Sequence, residues 1–114
     1  MKETDMEVFM RMMTEIVRMK TAEGVVKEDF IKWVNELEVE FHAKKPGYID
    51  SELMFDEKKD EWVMIQHWSS MVELKNASRE MFEESITENF RNALDPKSVK
   101  MIIYNQVQTW SLDQ

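Results

Sequence analysis

Between Glu61 and Trp68 the side chains alternate with period two, and both sides of the run are apolar: Trp62, Met64 and Trp68 accompany Gln66 on one, Val63 and Ile65 accompany His67 on the other. A strand of this kind is covered above and below. The run breaks at Ser69-Ser70 and passes into helical spacing, Met71, Leu74, Ala77, Ser78 and Met81, with Ser70 and Glu73 placed as a capping box. A second pair, Ser85 and Glu88, restarts the pattern before Phe90, Ala93 and Leu94, so residues 70–94 read as one bent helix or two short ones.

The remaining elements follow from the same periodicities. Met6 to Lys20 alternates Val8, Met10, Met12, Thr14 and Ile16 against Phe9, Arg11, Met13, Glu15 and Val17, a strand with apolar groups on both faces. Val26, Phe30, Trp33, Val34, Leu37 and Phe41 form a helical stripe, with Glu28 and Lys32, and Glu40 and Lys44, as pairs four apart. Pro46-Gly47 ends that helix near Lys44-Lys45. Tyr48 to Phe55 places Ile49, Ser51, Leu53 and Phe55 opposite Tyr48, Asp50, Glu52 and Met54, the most polar-sided strand and so an edge. The charged tip Asp56 to Asp60 closes a hairpin onto the Trp62 strand. After Asp95-Pro96 a last strand alternates Val99, Met101, Ile103, Asn105 and Val107 against Lys100, Ile102, Tyr104, Gln106 and Gln108.

Strand, helix, strand, strand, helix, strand is the split-βαβ order of an α+β ferredoxin-like fold, a four-stranded antiparallel sheet with two main helices on one face. The first and third strands are central in that topology. Helices shelter one face only, so Val63 and Ile65 on the other need cover from elsewhere. A second copy packed sheet to sheet is the symmetric solution and predicts a homodimer. The alternative is that the tail, residues 108–114 with Trp110 and Leu112, folds back over its own sheet or reaches across to the partner.

Composition narrows the field. A chain of 114 residues that is 43% hydrophobic can withdraw about two thirds of its unfolded surface from water as a single domain, 1–114. It contains no cysteine, which removes disulfides and thiolate chemistry and suits a reducing cytoplasm. No apolar run reaches membrane-spanning length, and Met1 to Asp5 is too acidic for a secretory leader; the expectation is a cytoplasmic protein without membrane contact. A formal charge of −8, with basic residues scattered, argues against nucleic acid.

Three features together resemble the antibiotic biosynthesis monooxygenase-like family of dimeric α+β barrels over most of residues 6–107. They are Pro46-Gly47-Tyr48 before the edge strand, the strand ending Val63-Met64-Ile65-Gln66-His67-Trp68-Ser69-Ser70, and the element order. The resemblance implies a barrel of two sheets, a pocket between sheet and helices, and Trp68 as the family tryptophan. Members often carry glutamate two residues before it; here Gln66 can exchange hydrogen bonds but cannot take a proton. The haem-degrading branch uses a histidine on the following helix and an asparagine on the first strand. Ser69 to Asp95 contains no histidine and Met6 to Lys20 no asparagine, which disfavours that activity.

Some enzymes resembling this family oxidise polycyclic aromatics or quinols with no cofactor, because an electron-rich substrate anion can itself reduce oxygen. That implies a cofactor-independent monooxygenase-like protein acting on a small aromatic or quinol-type compound. Trp68, Gln66, Trp33, Trp62 and Phe30 would line the pocket. The same aromatics are equally what a core buries. A non-catalytic ligand-binding or stress-associated dimeric module is the alternative, favoured by Gln66 in place of an acid.

Among polar candidates, His67 is a possible proton acceptor but alternates toward the dimer face, and His42 beside Lys44 and Lys45 reads as stabilising a helix end. The two share no ligand spacing, and no metal is expected. Eleven methionines suggest cuprous ion, yet Met12 and Met13 point to opposite sides of a strand, and adaptable core filling is the simpler role. Arg11 and Tyr104 could orient a ligand oxygen, or Arg11 could pair with Glu15 or Glu61. Asn76-Ala77-Ser78 matches a glycosylation sequon in a helical setting.

Overall fold

The computed structural model describes residues 12–112; the part of the predicted first strand before Met12, including Met10 and Arg11, lies outside them. Four strands, β1 (Met13–Met19), β2 (Tyr48–Asp56), β3 (Glu61–Trp68) and β4 (Lys100–Asn105), form one antiparallel sheet in the order β2-β3-β1-β4. Helices α1 (Lys27–Glu40), α2 (Met71–Met81) and α3 (Glu88–Ala93) complete the α+β ferredoxin-like fold. The doubly apolar strands, β1 and β3, are central and the polar-sided β2 is an edge.

The alternation along β3 holds at every position: Trp62, Met64, Gln66 and Trp68 are buried toward the helices, while Val63, Ile65 and His67 are half-exposed on the far face. Phe30, Val34 and Leu37 of α1 bury against Trp62 and Met64 with Phe90 and Ala93, and Phe30 sits 5.0 Å from the Trp62 ring and 5.8 Å from that of Phe90. Trp68, Met13, Leu74 and Ala77 make a second cluster beneath α2.

Three local departures from simple periodicity matter for the site. First, a bulge between Tyr48 and Asp50 shifts the phase of β2. Ile49, read as sharing a side with Ser51, Leu53 and Phe55, is exposed; Tyr48 takes the inward place and its ring lies 5.6 Å from that of Trp68. Second, α1 ends at Glu40 and the chain tightens into a 3₁₀ turn, His42–Lys44, before Pro46 is reached. Lys44 still pairs with Glu40 at 2.9 Å, but Lys45 crosses to α2, 3.0 Å from Glu80 and 2.5 Å from Glu84. Third, residues 70–94 form two helices. Thr87, buried in the break, gives its hydroxyl to the carbonyls of Met81 (2.5 Å) and Glu84 (2.9 Å), and Ser85 opens a 3₁₀ turn without a side-chain cap.

At the α2 start Ser70 accepts from the Glu73 amide at 3.3 Å and donates to Glu73 Oε1 at 3.0 Å, while Ser69 donates to the same carboxylate oxygen at 2.5 Å. The cap is thus closed through the hydroxyls of both serines. Ser70→Ala removes two of these bonds from a buried position and is expected to cost about 1 kcal/mol, read as a lower urea midpoint with an unchanged slope.

Candidate active site

Between the sheet and the helices lies a cavity of about 370 Å³. Its floor is the inward side of β1 and β3, Glu15, Val17, Met19, Met64, Gln66 and Trp68. Leu37 and His42 form one wall, and Ser78, Met81, Phe82, Phe90 and Arg91 the roof, with Pro96, Val99 and Met101 completing the rim. Cavities of about 300–1,000 Å³ hold small organic ligands, most with an apolar lining and a few placed polar groups. Among the described residues, side chains do not fill this part of the helix–sheet space.

The polar groups gather at the Trp68 end. Glu38, facing inward from α1, accepts from Ser51 Oγ at 2.5 Å and from Gln66 Nε2 at 2.8 Å on one carboxylate oxygen; its other oxygen accepts from His42 Nδ1. Tyr48 OH lies 2.6 Å from Ser51 Oγ, and because the serine donates to Glu38 the phenol donates to the serine. Trp68 Nε1 donates to Gln66 Oε1 at 3.3 Å, which fixes the amide so that its NH₂ faces Glu38. His42 is 3% exposed, stacked on Tyr48 at 6.3 Å and edge-on to Trp68 at 5.8 Å. Because an ionised Glu38 can only accept, Nδ1 carries the hydrogen in that pair, with Gln66 Nε2 3.0 Å from the same nitrogen; in the neutral ring Nε2 is then the acceptor.

Gln66 has a clear reason to be an amide. A carboxylate at its position would face Glu38 with like charge, whereas its NH₂ stabilises that charge by donating a hydrogen bond. Burial, followed by the Glu38 and Asp50 charges, keeps the Tyr48 phenol above its ordinary pKa despite the Ser51 hydrogen bond, so it stays protonated as a donor.

The remaining candidates lie elsewhere. Phe30 and Trp62 are buried in the main core, with Phe55 4.7 Å from the Trp62 ring, and Trp33 packs against the same cluster; none of the three lines the cavity. The rings of Phe30 and Trp62 pack on each other, so the structure places them in the core and not at the cavity. His67 is on the far face, 2.6 Å from Asp50. Tyr104 is on that face too, and Arg18 approaches Glu61 at 4.0 Å. Two residues that sequence reasoning set aside now stand at the cavity: His42, read as a helix-end charge, and Glu15, read as a pairing partner for Arg11. Glu38 four residues before His42 was the available signal for the first.

Among the described residues no cluster of three or more His, Asp or Glu side chains is arranged to hold a metal ion, and no helix is long and apolar enough to cross a membrane.

Fold and site define a class: a ferredoxin-like α+β domain with a cavity between its sheet and helices. Among solved structures the chain is similar to SnoaB, a cofactor-independent oxygenase from Streptomyces nogalater, with a TM-score of 0.70 and 17% identity over 91% of this chain and 99% of that one. A candidate antibiotic biosynthesis monooxygenase from Caulobacter crescentus CB15 superposes with a TM-score of 0.70 at 15% identity, covering 92% of this chain and 100% of that one. A conserved protein from Methanosarcina mazei Go1 gives 0.65 at 19%, covering 90% and 99%. At these identities the likeness is one of fold. No protein-family model and no curated protein matches the sequence.

Proposed function

We propose that this chain is a cofactor-independent monooxygenase of the antibiotic biosynthesis monooxygenase type, acting on a small hydroxylated aromatic or quinol-type compound held in the cavity. The observation that carries this reading is buried His42, paired with half-buried Glu38 and so tied to Gln66, at the wall of a largely apolar chamber. His42 Nε2 takes the hydroxyl proton of the substrate, and Glu38 holds the ring and balances the imidazolium that results. The aromatic anion then reduces oxygen and binds it at a ring carbon. As the peroxide O–O bond breaks, one oxygen atom stays as a quinone carbonyl. The other leaves as water with the ring hydrogen and the proton returned by His42. The substrate supplies all four electrons that the two oxygen atoms take up, so phenol and oxygen balance quinone and water. Trp68 and Gln66 form the floor against which the ring is oriented, and the dry walls favour the flat apolar body of the substrate.

The acting unit in this proposal is a homodimer formed through the outer sheet face. In register, Ile65, Ile16 and Ile102 make an apolar row across β3, β1 and β4, flanked by Val63 and Met54. Val107 and Trp110 beyond β4 are 91% and 83% exposed, apolar surface that a second copy could cover.

A quinol panel with isotopically labelled oxygen tests the activity. The expected result is oxygen uptake well above buffer, with one labelled atom in the quinone product and one in water. Release of hydrogen peroxide without label in the product would mean an oxidase, and uptake no faster than buffer across the panel would remove the enzymatic reading.

A further inference from the structure

Glu15 is a charged residue type in the least suitable surroundings on the inward side of the sheet. It is 6% exposed, lines the cavity beside its register partner Gln66, and its Oε2 has no hydrogen-bond partner. Among the described residues no polar neighbour donates to that oxygen. Glu38 from α1 is saturated by Ser51, Gln66 and His42, and Gln66 Nε2 points to Glu38. Arg91 of α3, the cation lining the same cavity, gives its Nε to Thr87 at 2.9 Å. The other inward positions beside Glu15, Val17 on β1, Ile103 and Met101 on β4 and Ser78 on α2, are uncharged. A buried carboxyl with no donor aimed at it is costly as an anion and acceptable as an acid. Burial pushes the Glu15 pKa above the ordinary carboxyl range; His42 opposes this and Glu38 adds to it.

We infer that Glu15 is a specificity-determining residue that stays protonated and donates its hydrogen to an acceptor oxygen of the bound compound, so that the cavity selects aromatic ketones and quinones over bare hydrocarbons of the same shape. This deepens the proposed function and rests on it for the aromatic ligand class. The site then has two unlike handles: His42 accepts a proton from one oxygen, and Glu15 donates a hydrogen bond to another. Pairs of titratable groups whose surroundings drive them toward opposite roles mark acid and base assignments in many enzymes.

Tetralone and tetralin, which share a bicyclic frame and differ by one carbonyl, are the probes, with binding read from quenching of tryptophan fluorescence. Tetralone is expected to bind the wild type about tenfold more tightly than tetralin, the discrimination of one buried hydrogen bond. Glu15→Gln, which keeps a donor, should retain the preference; Glu15→Leu should abolish it by weakening tetralone alone. In the wild type the preference should fade as pH rises through the raised Glu15 pKa, and in Glu15→Gln it should not. Equal binding of the two compounds to the wild type, or a preference surviving in Glu15→Leu, overturns the inference. So does failure of both probes to bind.

The carboxyl can also be followed without ligand or refolding risk. The carbon NMR titration of Glu15 Cδ in the wild type should have its midpoint above the ordinary glutamate range, about 4.3, and a midpoint in that range overturns the inference. The folded pKa exceeds the unfolded one, so the folded state holds the proton longer. Stability contributed by protonated Glu15 is therefore complete below the unfolded value and is lost as pH rises toward the folded one. Glu15→Gln should remove that decline. Glu15-dependent tetralone binding without oxygen uptake would leave the acid in place and discard the oxygenase, whereas oxygen uptake with Glu15-independent binding would do the reverse.

Discussion

His42→Ala should slow substrate-dependent oxygen uptake by about 10²- to 10⁴-fold, the usual worth of a positioned general base, and added imidazole should restore part of it. The expectation comes from the ring's setting. Nδ1 is committed to Glu38, so one defined nitrogen remains to accept a proton, and Tyr48 and Trp68 hold the ring plane. Truncation also strips Glu38 of one of its three donors, which costs about 1–3 kcal/mol of folding stability; circular dichroism and urea titration separate that loss from the loss of rate. Glu38→Gln is the sharper probe. An amide there can turn its NH₂ toward Nδ1 and select the wrong tautomer, so activity should fall with little change in substrate affinity. If His42→Ala oxidised the substrate at the wild-type rate, the base would have to be sought elsewhere in the cavity.

Trp62, Met64, Gln66 and Trp68 on one side of β3 follow from alternation alone, because a strand has only two sides and no local rule intervenes. The stripe Phe30, Val34, Leu37, Phe41 is equally plain, since each residue repeats the helical step. His42 breaks the rule through a change of winding. Carried on as α-helix to Lys44, the chain would put His42 one step round from Phe41 and off the stripe, whereas the 3₁₀ turn after Glu40 buries it. Tyr48 was misassigned for a similar reason, the one-residue bulge that reverses its phase relative to Ser51.

The hydrogen-bond network itself could not be read locally. Glu38, Ser51 and Gln66 come from α1, β2 and β3, and only the hairpin register and helix placement bring them together. Glu15 was visible as a polar residue on a largely apolar side. That its Oε2 lacks a partner depends on the cavity, which only the assembled sheet and helices create.

Ile65→Asp is expected to convert a dimer into a monomer, raising the dissociation constant at least about 100-fold, or roughly 2.8 kcal/mol. Ile65 heads the Ile65–Ile16–Ile102 row from the central strand β3, and a two-fold axis would bring two copies of any substitution into one interface. Each buried carboxylate without a partner opposes association. In the isolated chain the position is already half-exposed, so the monomer should fold with little loss. Val39→Asp, on the exposed side of α1 at 51% exposure, is the matched control and should leave assembly unchanged. Sedimentation velocity over a range of concentrations reads the outcome. A wild type that stayed monomeric throughout would remove the dimer and make the outer row a surface without a symmetric partner, while the cavity, whose walls all come from one chain, would keep its chemistry. Loss of both dimer and oxygen uptake in Ile65→Asp would instead tie the two together, since β1 and β3 carry the interface on one side and Glu15, Gln66 and Trp68 on the other.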